Sequence, residues 1–167
     1  MHAFQIWASL SQPLQHEILE SSYFNQKKLY RMLVQDMSEV LRKRPILLQA
    51  LPRKERHMLF QPLLGLPNYQ VLTQNLLMQW LVSDQSKMMA AFLEGLGIEH
   101  DGKGCVDSFP DEIDQAKLKT AVEKLYTEFP EEKVTVYLRS FDTLSGANWP
   151  SLTPLIRESA VSEPARA

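Results

Sequence analysis

The chain has 167 residues, which is enough for one domain with a substantial hydrophobic core and short for two. Hydrophobic residues make up 44% of it and charged residues 23%, proportions that exclude a disordered chain. The formal net charge of −2 predicts no general attraction to nucleic acid or to an anionic membrane, and the single cysteine excludes an internal disulfide.

Two features of the chain bear on its location. No lysine or arginine precedes Lys27, so the start of the chain lacks the basic region of a secretory signal. The longest apolar run, residues 88–93, is far shorter than the roughly 20 residues that span a bilayer. We therefore expect a cytoplasmic protein without membrane association.

The charge is unevenly distributed along the chain. Residues 1–60 contain nine lysines and arginines against five acidic residues, whereas residues 98–167 contain eight against thirteen. A mildly basic front and an acidic back are compatible with self-association or with a local anionic partner.

Helices are predicted along most of the first half, and prolines mark many of their ends. Residues 13–24 form a first predicted helix, with Ser11 available as its N-cap. Residues 26–43 form a second, because apolar side chains recur there every three or four residues. The four prolines between residues 44 and 67 predict only short helical turns with an irregular connection.

The second half also has a helical pattern. Two helices are predicted over residues 68–96, and Gly97 has the sequence context of a left-handed C-cap. A capping box at residues 108–111 predicts the start of the next helix. Residues 134–141 fit a helix or a strand, and the acidic residues before them favour a helix. Residues 149–158 are predicted as a last short helix.

The predicted fold is mainly α-helical. It is a single-domain irregular helical bundle over residues 1–159, with about six to eight helices and one short β-hairpin near residues 98–107. Residues 160–167 are predicted to be a flexible C-terminal tail.

The predicted hairpin contains the residues that most resemble a site, His100, Asp101 and Cys105. A two-residue turn would place His100 opposite Cys105 as a thiol–imidazole pair. A type I turn followed by a bulge would instead turn His100 toward apolar neighbours and place Asp101 and Cys105 on the other face. Burial favours the second register, so His100 and Asp101 remain candidates without an assembled catalytic pair.

The same segment matches no known ion-binding motif. A calcium loop that began at Asp101 would need oxygen donors where this chain has Lys103 and Cys105. The glycines fit neither a P-loop nor a dinucleotide-binding fingerprint. We therefore predict no metal site and no cofactor.

Two basic clusters flank the short segment 45–52. Their members are Arg42, Lys43, Arg44, Arg53, Lys54, Arg56 and His57. If the segment brings them together, they could bind phosphates or an acidic protein surface. The first cluster is also explained by the preference of cations for a helix C-terminus, and no aromatic platform or recognition helix accompanies either cluster.

These observations favour binding over catalysis. We expect a non-catalytic helical protein that associates with protein, either a second copy of itself or another chain. The first alternative is a nucleic-acid-associated protein that uses residues 42–57. The second alternative is a small enzyme with its site at the predicted hairpin.

Overall fold

The computed structural model describes residues 1–158, so the predicted tail at 160–167 lies outside the described residues. Within residues 1–158 the chain forms nine α-helices, two 3₁₀ helices (Pro67–Tyr69 and Thr153–Leu155) and no β-strand. The α-helices are α1 (Ala3–Ala8), α2 (Gln12–Asn25), α3 (Lys27–Val40), α4 (Pro45–Ala50), α5 (Arg53–Leu64), α6 (Gln70–Asp84), α7 (Ser86–Leu96), α8 (Gln115–Glu128) and α9 (Glu131–Leu144). The mainly α-helical prediction is confirmed, and the number of helices is slightly above the expected range. None of the described helices is long and apolar enough to cross a membrane.

The chain divides into two compact units. The first comprises residues 2–80, and the second comprises Met1 together with the described chain from Leu81 to residue 158. Helix α6 continues through the boundary. This division does not test whether the chain folds as one domain, so the single domain over residues 1–159 stays a prediction.

Local signals start and end several helices as the sequence predicts. The hydroxyl of Ser11 accepts the N–H of Leu14 at 3.3 Å and so caps α2. Gly97 ends α7 in the left-handed region (φ 72°), and the N–H of Ile98 donates to the carbonyl of Leu93 at 2.9 Å. This is the hydrogen bond of a Schellman motif, which satisfies a carbonyl at the helix end.

Helix α3 ends three residues before its predicted end. Arg42 has a positive φ of 51°, and the N–H of Lys43 donates to the carbonyl of Ser38 at 3.0 Å. The N–H of Arg42 donates to the carbonyl of Glu39 at 3.3 Å, which completes a second Schellman motif. The first basic cluster therefore includes the residue that ends the helix.

The core of the first unit fixes α2 against α3 and α5. Trp7 is fully buried, its indole N–H donates to the carbonyl of Gln61 in α5 at 2.9 Å, and its own carbonyl accepts the side-chain amide of Gln15 in α2 at 2.9 Å. Ile18 and Leu33 are also fully buried, and full burial of such a side chain stabilises the fold by about 1.5–3 kcal/mol. These contacts set the positions of the polar side chains on the same helices.

The core of the second unit packs α7 against α8 and carries an aromatic cluster. Most of the ring pairs in this cluster meet edge-to-face at centroid distances of 5.0–6.1 Å, a favourable aromatic geometry. Its members are Phe92, Phe109, Tyr137, Phe141 and Trp149.

The predicted β-hairpin near residues 98–107 is wrong, because the described chain contains no strand. The carboxylate of Asp101 accepts the N–H groups of Lys103 at 2.8 Å and Cys105 at 3.0 Å. These amide groups are therefore bound to a side chain, and side-chain acceptors of this kind compete with regular secondary structure. The N–H of Asp101 still donates to the carbonyl of Cys105 at 3.0 Å, so the segment closes as a compact loop.

The predicted capping box at residues 108–111 is also wrong. Helix α8 begins later, and Asp114 caps it by accepting the N–H groups of Ala116 and Lys117 at 2.9 and 3.2 Å. Phe109 is half-buried and belongs to the aromatic cluster, so its contacts with Phe141 and Trp149 hold this stretch in an irregular conformation. Tertiary packing thus overrides the local cap signal.

The predictions for the end of the chain have mixed outcomes. Residues 134–141 lie within α9, which confirms the preference for helix over strand. Residues 149–158 contain a single 3₁₀ turn at Thr153–Leu155 in place of the predicted short α-helix.

Candidate functional site

The first unit carries an open pocket of about 590 Å³. This volume lies within the range of about 300–1,000 Å³ that is typical of ligand sites. Three aromatic side chains and three cationic side chains contribute to its wall. The lining residues are Tyr23, Phe24, Lys27, Tyr30, Arg31, Gln49 and Arg56. The pocket therefore combines apolar surface with positive charge.

Arg56 is the most unusual residue of this pocket, because its charge is buried. Only 6% of the residue is exposed. Its guanidinium donates to the carbonyls of Gln49 (2.8 Å) and Leu51 (3.0 Å) and to the hydroxyl of Tyr30 (3.1 Å). Its Nε has no hydrogen-bond partner, and no carboxylate of residues 1–158 forms an ion pair with it. A buried charge is normally paired, so Arg56 leaves uncompensated positive charge in the pocket wall.

A second group of polar side chains, the His–Glu cluster, consists of His16, Glu20 and His57. His57 is fully buried on α5, and its Nδ1 lies 3.1 Å from Nδ1 of His16 and 3.6 Å from Oε1 of Glu20. His16 and Glu20 are one turn apart on α2, with 3.8 Å between Nε2 and Oε1. One imidazole from α5 thus meets an imidazole and a carboxylate from α2.

Tyr30 connects the pocket with the His–Glu cluster. Its hydroxyl lies 2.9 Å from Nε2 of His57, on the ring edge that faces away from His16, and it accepts a hydrogen bond from Arg56. On the other side of the cluster, Nε of Arg53 donates to Oε1 of Glu20 at 3.2 Å. The guanidinium of Arg53 also lies over the rings of Tyr23 and Phe24, with 4.6 and 4.8 Å to their centroids.

Burial determines the protonation of the central groups. Desolvation, reinforced by the charges of His16, Arg56 and Arg53, lowers the pKa of His57 to about 3. The ring of His57 is therefore neutral at neutral pH, with one nitrogen protonated and the other available as an acceptor or a ligand. Burial raises the pKa of Tyr30, although Arg56 opposes the shift, so its hydroxyl also stays neutral.

The predicted basic residues differ in their exposure to solvent in the folded chain. The exposed ones are Arg42, Lys43, Arg44 and Lys54, whereas Arg53 is partly exposed and Arg56 and His57 are buried. Because α5 begins at Arg53, positions 53, 56 and 57 lie on one helix face, and this face meets α2 and α3. Arg56 and His57 are thus not part of an exposed basic surface, while binding by the exposed residues stays a prediction.

The candidate residues of the predicted hairpin do not form the predicted thiol–imidazole pair. Nδ1 of His100 accepts the N–H of Gly102 at 3.0 Å, and its Nε2 lies 3.4 Å from Oε1 of Glu94. Both ring nitrogens therefore have partners other than the thiol of Cys105, which is free and exposed. The carboxylate of Asp101 holds the loop together. The hydrogen bonds that it accepts from backbone N–H groups, above all that of Cys105, lower the pKa of Asp101.

Sequence reasoning missed His16, Glu20 and Tyr30. His16 and Glu20 have a local signal, since a histidine and a carboxylate four residues apart on a helix share one face. Tyr30 has none, because its role depends on contacts with α5. Comparisons of the chain with models of protein families, with curated proteins and with solved structures find no match, so the candidate function of this pocket and this cluster follows from their own chemistry.

Proposed function

We propose that this protein is a non-catalytic binding protein that takes an acidic segment of another protein into the pocket of its first unit. The buried and uncompensated charge of Arg56 is the observation that carries the proposal. A carboxylate from a partner would supply the counter-charge that the described chain does not, and a guanidinium is well suited to bind it.

The remaining lining residues support a peptide rather than a bare anion. Phe24 is 57% exposed and, with Tyr23, offers aromatic surface for an apolar side chain beside the acidic one. Lys27 and Arg31 are exposed and lie one turn apart on α3, where they extend the positive charge to the mouth of the pocket. Such an arrangement fits alternating acidic and apolar residues in a partner.

The two alternatives have less support. The basic surface of a nucleic-acid-binding protein would consist here of Arg42, Lys43, Arg44 and Lys54, since Arg56 and His57 are buried. An enzyme at residues 98–107 required a hairpin register that pairs His100 with Cys105, and both ring nitrogens of His100 have other partners. We also propose a cytoplasmic location, with which the free and exposed Cys105 is compatible.

The test selects peptides from a random displayed library on the immobilised chain and measures the binding of the enriched ones in solution. We expect enrichment of aspartate and glutamate next to leucine or aromatic residues. Lys27→Glu should weaken binding of the selected peptide by about three- to tenfold, because it reverses a charge at the mouth of the pocket. Lys54→Glu is the matched control, since both lysines are exposed and both lie in the first turn of a helix. It should leave the affinity unchanged.

Three results would overturn this function. The first is selection of peptides without acidic enrichment, and the second is an equal loss of affinity in both lysine variants. The third is salt-sensitive binding of a single-stranded oligonucleotide that is tighter than peptide binding. If this binding is lost when the charges of Arg42 and Arg44 are removed, the nucleic-acid alternative is established. Self-association in sedimentation that Lys27→Glu abolishes would replace the partner protein by a second copy of the chain.

A further inference from the structure

The His–Glu cluster has a second feature that peptide binding does not use. Its three side chains each bring one potential metal-ligand atom, and these atoms all lie within 4.8 Å of one another. Within residues 1–158, it is the group of three or more histidine, cysteine or acidic side chains whose ligand atoms lie this close together.

The separations within the cluster are close to those around a tetrahedral metal ion. With metal–nitrogen and metal–oxygen bonds of about 2.0–2.2 Å, neighbouring ligand atoms of a Zn²⁺ site lie about 3.3–3.6 Å apart. Nδ1 of His57 is 3.1 Å from Nδ1 of His16 and 3.6 Å from Oε1 of Glu20. Small side-chain movements are therefore sufficient to accommodate the ion.

The surroundings orient these side chains as they do in known metal sites. A metal-bound histidine normally uses its other ring nitrogen for a hydrogen bond, which fixes its tautomer. His57 has such a partner in Tyr30, whose hydroxyl lies 2.9 Å from Nε2, so Nδ1 faces the cluster. Glu20 is held by Arg53 at 3.2 Å.

The cluster is also accessible from solvent. The side chains of His16 and Glu20 are 36% and 24% exposed, whereas His57 is fully buried behind them. An ion can thus enter from the surface of α2, and water can occupy a fourth position.

We propose that His16, Glu20 and His57 bind one divalent transition-metal ion of the Zn²⁺ class. Two imidazoles and one carboxylate are the ligands that such ions prefer, while Mg²⁺ and Ca²⁺ prefer oxygen ligands alone. The positive charge of Arg53 opposes the cation and limits the affinity. This site borders the proposed peptide pocket through Tyr30, but its ligand atoms lie outside the pocket lining, and neither proposal depends on the other.

The experiment titrates the untagged, metal-free chain with ZnCl₂ by calorimetry and records the visible absorption of Co²⁺ as a probe of tetrahedral geometry. We expect one Zn²⁺ per chain, intense Co²⁺ bands, and no competition from Mg²⁺ or Ca²⁺ at millimolar concentration. His16→Ala and Glu20→Gln should each weaken Zn²⁺ binding by about tenfold or more. Circular dichroism establishes that each variant is folded.

Two further variants separate a built site from adventitious binding. His100→Ala is the matched control, because His100 also lies beside a carboxylate, that of Glu94 at 3.4 Å, but outside the cluster. It should leave the affinity unchanged. Arg53→Gln retains a donor for Glu20 but removes a positive charge, so it should tighten Zn²⁺ binding by about threefold.

Four outcomes would overturn the metal site. They are no Zn²⁺ binding by the wild-type chain in the micromolar range, unchanged affinity in His16→Ala or Glu20→Gln, an equal loss in His100→Ala, and displacement of Zn²⁺ by Ca²⁺. In addition, weaker rather than tighter binding in Arg53→Gln would contradict the assigned ligand set.

Discussion

Arg42 ends helix α3 in the left-handed region, where most side chains are strained. Its φ is 51°, and a residue with a Cβ in this region costs about 1–2 kcal/mol relative to the right-handed region. Glycine is the usual residue at this position of a Schellman motif, as Gly97 is at the end of α7. The arginine at position 42 therefore costs conformational free energy that a glycine there would not.

Arg42→Gly should raise the free energy of unfolding by about 0.5–1 kcal/mol, because the relief of strain exceeds the added entropy of the unfolded chain. Urea denaturation measures the change. Arg44→Gly is the control, since Arg44 already has a negative φ (φ −64°, ψ 141°) at the N-cap of α4, so glycine there relieves no strain and should change the stability by less than Arg42→Gly does. A loss of stability in Arg42→Gly would contradict the assigned helix end.

His57 illustrates at the same scale how an environment changes the chemistry of a side chain. The sequence places it in a basic cluster, which suggests a charged and exposed residue. In the folded chain it is fully buried between Tyr30 and His16, and its pKa falls to about 3. A group expected to attract anions is therefore neutral, and this is the state that a metal ligand requires.

At the scale of elements, helices were predictable where their signals were local. Apolar periodicity located α3 and α7, and hydrogen bonds between near neighbours produced the caps at Ser11 and Gly97. The loop between α7 and α8 was predicted wrongly, although the side chain of Asp101 binds amides only two and four residues away. The loop also packs on α7, and that contact between residues distant in sequence has no local signal.

Gly104 brings that loop into close contact with Met89 and Ala90 of α7. Its φ is +87°, and a Cβ there would overlap the Cβ of Met89. Gly104→Ala should therefore lower the free energy of unfolding by about 1–3 kcal/mol through strain and overlap together. Urea denaturation and amide exchange in the loop measure the effect.

Gly102→Ala separates the two causes. Gly102 also has a positive φ, +84°, but a Cβ there meets nothing within 4 Å. It should cost only the backbone strain, about 1 kcal/mol. Equal losses in the two variants would show that the contact with α7 has no energetic role.

At the scale of the whole molecule, the central question is whether the two compact units unfold together. Helix α6 runs through the boundary between Trp80 and Leu81 without a break. Helix formation is cooperative, so unfolding one half of α6 weakens the other half. We therefore expect one cooperative transition.

Native-state hydrogen exchange checks this expectation. The most protected amides of α3 and of α9 should report the same free energy of opening as urea is added, because both would exchange through global unfolding. If amides of α9 open at a free energy lower than those of α3 by more than about 1 kcal/mol, the units unfold separately and the single-domain prediction fails.

The sequence by itself determined the helical class of the protein and most of its helix positions. These depend on periodicity, prolines and caps, all of which act over a few residues. The tertiary structure alone decided which of the cations face solvent and which residues meet His57. Tyr30 and His57 are 27 residues apart, and His16 and His57 are 41 apart, so only the packing of α2 and α3 against α5 brings them together. The candidate pocket and the candidate metal site arise from that packing.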